Sequence, residues 1–124
     1  MNDYTTLPGF ADVVLEESWV LAVRALPAEV RFDLEVVLTK GHPEYTSPKD
    51  GEVESYRRGS LRFVGVTRLL WEEQGLPPAI DAADAEDYGH IDSMRHADGV
   101  FHLDGDWGRM SVTAERAEIV LGGG

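Results

Sequence analysis

The stretch VRFDLEVVL (residues 30–38) alternates along most of its length. Val30, Phe32, Leu34, Val36 and Leu38 are apolar, while Arg31, Asp33 and Glu35 between them are charged. A period of two sends alternate side chains to opposite faces, so these residues predict a strand with one face in the core and one in water. Just upstream, SWVLAVRA (18–25) puts Trp19, Leu21 and Val23 on one face, and LPAE (26–29) turns the chain, so the two segments read as a hairpin. Downstream, SLRFVGVTRLLW (60–71) places Leu61, Phe63, Leu69 and Trp71 on one face and Arg62 and Arg68 on the other. Gly65 marks a bulge within it. EVESYRR (52–58) precedes it across Gly59, which predicts a turn and a second hairpin.

The tail HIDSMRHADGVFHLDGDW (90–107) carries Asp98-Gly99, a turn pair suited to positive φ at both positions. That turn sets a register in which Ala97 faces Val100, His96 faces Phe101, Arg95 faces His102 and Met94 faces Leu103. GDWG (105–108) turns again, and RMSVTA (109–114) and AEIVLG (117–122) follow as strands. FADVVLEES (10–18) suits a short helix as well as a strand. The count is seven or eight strands and no long helix. The expected fold is all-β, an antiparallel sandwich or a partly open barrel, in one domain spanning 1–124 with 122–124 frayed.

Composition bounds the function. Apolar residues at 43% and charged residues at 27% describe a globular chain rather than a disordered one. The absence of cysteine excludes disulfides and thiol chemistry and suits a reducing cytoplasm. The opening MNDYTTLPGF has no basic and apolar leader pattern, and no apolar run reaches membrane-spanning length. Eleven cationic side chains against twenty-three carboxylates give a net charge of −12. Such a field repels nucleic acid and anionic membranes and attracts a basic protein partner.

Residues 81–92, DAADAEDYGHID, concentrate that acidity. Measured against the calcium loop of an EF-hand from Asp84, the acid at position 12 is replaced by Arg95, and the flanks read as strands. His90, His96 and His102 have metal-like spacing, yet the hairpin register puts His96 with the apolar residues and His102 with Arg95 and Asp104. No transition-metal site and no cofactor are expected, and a looser calcium site on the carboxylates of 81–92 stays an alternative. The chain has no nucleophile elbow, phosphate loop, zinc-protease helix or dinucleotide fingerprint. The reading is an exposed acidic connection, anchored by Tyr88 and Ile91, bent at Gly89 and used for recognition.

The candidate binding residues are Asp84, Glu86, Asp87, Tyr88, His90 and Asp92, with His42 and Tyr45 from the loop TKGHPEYTSPKDGE (39–52), and Trp107. Trp107 either caps the core or stands out as an anchor. Arg57, Arg58 and Arg62 form the one basic spot. It is expected to pair with Glu52 and Glu54, an anion-binding patch being the alternative. The leading function is a non-enzymatic acidic interaction module that neutralises a basic partner. The alternatives are a small acid–base or metal-dependent enzyme using 84–92, and a small-ligand-binding β domain with its pocket between the two long loops.

The succession SWVLAV, FDLEVVL, HPEY, YRRGSLRF, DYGHID and GDWG resembles a small bacterial domain family of unknown function. In size and acidity the chain is also similar to immunity proteins of bacterial toxin systems. Neither resemblance implies a site residue.

Overall fold

The computed structural model describes residues 2–47, 55–73, 79–80 and 86–122, with 79–80 and 86–87 through backbone pairing alone. Eleven strands occur among them: β1 (Asn2–Asp3), β2 (Val13–Leu26), β3 (Glu29–Leu38), β4 (Ser55–Val64), β5 (Arg68–Glu72), β6 (Ala79–Ile80), β7 (Glu86–Asp87), β8 (Ile91–Ala97), β9 (Val100–Gly105), β10 (Gly108–Thr113) and β11 (Arg116–Leu121). Two antiparallel sheets, of order β1-β8-β9-β10-β5 and β11-β4-β3-β2, form an unclosed all-β sandwich, and β6 and β7 pair separately. Eight strands have five or more residues, within the seven or eight expected. The other three are two-residue strands, too short to leave a periodic signal. No helix among the described residues is long and apolar enough to cross a membrane.

Strand β3 behaves as its alternation dictates. Val30, Phe32, Leu34, Val36 and Leu38 are buried, and Arg31, Asp33 and Glu35 point away from the core. The two inner faces interlock through aromatic rings. Phe32 meets Phe63 edge-on at 6.4 Å and Trp107 at 4.9 Å, and Phe63 meets Phe101 across the sandwich at 5.2 Å. Each fully buried side chain of this size contributes roughly 1.5–3 kcal/mol of transfer free energy. The tail hairpin has the expected register, with Asp98 and Gly99 both at positive φ, so His96 and His102 lie on opposite faces. His96 bonds Thr6 Oγ1 at 2.8 Å, and His102 Nδ1 bonds Ser111 Oγ at 3.0 Å.

Two expectations are corrected here. Gly59 is not a turn. Strand β4 runs straight through it, because β11 lies so close that a Cβ there would meet Val120 O at 2.7 Å and Leu121 Cδ2 at 3.0 Å. SLRFVGVTRLLW is not one strand with a bulge. At Gly65, φ +69°, the chain leaves β4 and crosses to β5 in the other sheet. Leu61 and Phe63 therefore enter the core from one layer, and Leu69 and Trp71 pack on it from the other. FADVVLEES takes the strand alternative: β2 starts at Val13, with Phe10 buried ahead of it.

Candidate functional site

Strand β2 departs from regular pairing twice. Val14 pairs with Val37 but Trp19 pairs with Glu35, so residues 15–18 oppose only Val36. Ser18 patches this expanded bulge from within. Its buried hydroxyl donates to Val14 O at 2.7 Å and accepts from Val37 N at 2.9 Å. A second shift leaves Leu21 without a cross-strand partner. The bulge changes the phase of the strand, so Val20 is buried opposite Leu34 while Trp19 turns outward and is 37% exposed. This corrects the expected placing of Trp19 on the core face with Leu21 and Val23. Glu16-Glu17, two adjacent exposed acids that break the alternation, are the sequence trace of the slip.

The irregular edge is covered by residues 88–90. Tyr88 N donates to Val20 O, and Val20 N donates to Gly89 O, both at 2.8 Å. Gly89 has φ +81°, supplying the expected bend, and a Cβ there would lie 2.1 Å from Asp106 Oδ2, so the Asp106 carboxylate rests on this glycine. His90 is held at both ends. Its ring Nδ1 is 2.8 Å from Ser18 O, and its own carbonyl accepts from Trp107 Nε1 at 3.1 Å. Because a carbonyl only accepts, Nδ1 carries a proton, and in the neutral ring Nε2 is then the acceptor nitrogen. The imidazole then lies against the indole of Trp19, with ring centroids 4.2 Å apart and planes at 39°.

Carboxylates neighbour this aromatic pair in sequence or in register. Glu17 is exposed two residues before Trp19, Glu35 is its cross-strand partner, and Asp106 lies on Gly89. Asp92 is exposed at a bulge where Ile91 pairs with Gly105 and Ser93 with Asp104. Bulges of this kind re-aim side chains. The arrangement presents an exposed Trp19 with carboxylates at neighbouring positions. That is the chemistry of an anchor for an Arg- or Lys-bearing surface, through ring faces and charge together.

The structure thus brings Tyr88, His90 and Asp92 together, with Tyr88 and Ile91 packed on or in the core as expected. Glu86 and Asp87 form β7, which lies beside β2, but their side chains are outside the described residues, as is Asp84 altogether. Trp107 is a buried support, not an exposed anchor: it is 3% exposed, and its indole reaches up to the His90 carbonyl. His42 and Tyr45 belong to a separate, internally tied loop. Tyr45 N donates to His42 O, Glu44 N donates to His42 Nδ1, both at 3.0 Å, and Tyr45 packs on the core. Among the described residues, no hydrogen bond or ring contact of that loop reaches Trp19 or His90. Arg57 pairs with Glu44 at 3.1 Å; Glu52 and Glu54 are outside the described residues.

No family model matches the chain, and no curated protein or solved structure matches it.

Proposed function

We propose that the protein is a non-enzymatic interaction module of the bacterial cytoplasm, and that it captures a basic protein partner at the Trp19–His90 edge. The observation that carries this reading is an exposed Trp19 in tilted contact with a doubly fixed His90, with Glu35 across the strand pair, Asp106 on Gly89, and the exposed acids Glu17 and Asp92 two residues away in sequence. A fixed aromatic costs little side-chain entropy on binding, and the overall charge of −12 steers a cationic surface toward it. The contribution of Asp84, Glu86 and Asp87 follows from the same electrostatics: they add negative charge to the segment leading into His90.

The competing reading, acid–base chemistry at 84–92, is favoured by one feature, a His90 ring oriented by its Nδ1 contact so that the neutral form has Nε2 as acceptor. The two readings separate experimentally. Wild-type protein, Trp19→Ala and the pair Glu17→Lys with Asp92→Lys are used as baits in lysate of the native host. The module reading expects a basic protein retained by the wild type and lost from both variants, with an on-rate that falls as salt rises. Retention of the same protein by all three baits, or a partner of acidic composition, overturns it.

A further inference from the structure

The outer face of the four-stranded sheet departs from the acidity of the rest of the chain. Register places Arg24 directly opposite Arg31, and Arg31 directly opposite Arg62, so three arginines stand abreast on β2, β3 and β4. Like charges in directly opposed positions cost stability. Their neutralisation is uneven. Arg62 has two carboxylates, Glu29 at 2.7 Å and Glu118 at 3.6 Å. Arg24 and Arg31 share one: Asp33 Oδ2 lies 2.9 Å from Arg24 Nε, and Asp33 Oδ1 lies 3.4 Å from Arg31 Nε.

Beside them runs a cavity of about 610 Å³, lined by Arg24, Arg31, Asp33, Arg58, Ser60 and Gly122, among others. Among the described residues, no carboxylate lies within ion-pairing distance of Arg58. Arg31 Nε is buried and makes no hydrogen bond. The contacts of Arg24 and Arg31 with Asp33 run through Nε, so their terminal nitrogens keep their donor capacity. Three guanidinium groups, one carboxylate, a hydroxyl and an open cavity thus share one place.

The geometry points to an oxyanion site in this groove, suited to the phosphate groups of a small phosphorylated molecule. Planar guanidinium forks match phosphate oxygens two at a time, and three forks on adjacent strands suit a group with several charged oxygens. The Ser60 hydroxyl adds a neutral donor. The negative charge elsewhere on the protein does not forbid this, since exposed charges beyond about 8–10 Å are screened at ordinary salt. The groove adjoins the partner-binding edge proposed above, since Glu35 lies opposite both Trp19 and Arg58, but the anion site does not rest on that reading.

Inorganic pyrophosphate is the probe, titrated into the full chain by calorimetry and by amide chemical shifts, with citrate as a carboxylate of comparable charge. Saturable pyrophosphate binding is expected, with shifts centred on Arg31, Arg58 and Ser60. Arg31→Ala and Arg58→Gln should each weaken it about tenfold, the loss of one charge-assisted pair. Asp33→Asn should tighten it by removing the competing carboxylate. The exposed Arg58→Gln keeps the test valid should Arg31→Ala not fold. Absence of saturable binding, affinity unchanged in Arg58→Gln, or tighter binding of citrate than of pyrophosphate overturns the assignment.

Discussion

The Trp19 indole and the His90 imidazole lie 4.2 Å apart although Trp19 belongs to β2 of one sheet and His90 leads into β8 of the other. Neither ring sits there by its own preference. Trp19 faces out because residues 15–18 are squeezed against a single partner, and His90 faces it because Ser18 O holds its Nδ1.

This pair should be energetically coupled. In a double-mutant cycle of Trp19→Ala and His90→Ala, followed by urea unfolding, the coupling is expected at about 0.5–1.5 kcal/mol. His90→Ala alone should cost more than Trp19→Ala, because it also loses the bond to Ser18. Strict additivity of the two would mean the rings do not stack in solution.

Gly105 should prove intolerant of a side chain. A Cβ there would meet Trp107 Nε1 at 2.3 Å and His90 O at 2.4 Å, inside the hydrogen bond that ties these residues. Gly105→Ala is expected to destabilise by about 1–3 kcal/mol as an overpacked site and to loosen His90. A thermal melt together with loss of partner retention checks both, and an unchanged melt would contradict the packing.

Neighbouring positions on β3 should differ sharply. Phe32 is fully buried between Phe63 and Trp107, so Phe32→Ala is expected to cost about 3–5 kcal/mol. Asp33→Ala removes only exposed pairs to Arg24 and Arg31, a loss of about 1 kcal/mol or less. Chemical denaturation of the two variants measures the contrast.

Tyr4 gives the protein an alkaline limit. Burial comes first in raising its hydroxyl above the ordinary tyrosine range, followed by the hydrogen bond to Glu16. Below that range both folded and unfolded chains keep the proton, and the contribution to stability is constant. Above about pH 10 the unfolded chain releases it and the folded chain does not, so stability falls as pH rises. Tyr4→Phe should flatten this decline. It should also cost about 1–3 kcal/mol at neutral pH, because Leu15 N, which donates to the hydroxyl at 3.1 Å, loses its buried acceptor. Unfolding free energies of both proteins across alkaline pH test the sign.

What was legible in the sequence was local. The alternation of 30–38 and the Asp98-Gly99 register follow from side-chain period and turn chemistry alone. Gly59 was misread because a glycine that admits a neighbouring strand looks the same in sequence as one that turns the chain. Only the approach of Val120 and Leu121 tells them apart. Trp19 was misread because its direction depends on a bulge closed by Ser18 and capped by residues 88–90, some seventy positions away. Of the acidic stretch, the anchoring end at Tyr88–Asp92 was legible from Gly89 and Ile91. The arginine groove was legible only as a basic spot, since Arg24 and Arg31 join Arg58 through sheet register.

Strand β1 adds a temporal consequence. Asn2 pairs with His96 and Asp3 with Arg95, more than ninety positions along the chain. During synthesis, β2, β3 and β4 can assemble as each emerges. Asn2–Asp3 must wait until β8 has left the ribosome, and β5 must wait for β10. Contacts this distant in sequence close late and slow the search, typically to milliseconds or seconds. A nascent chain stalled before β8 would therefore hold one sheet's apolar face, Phe32 and Phe63 included, open to solvent or to a chaperone.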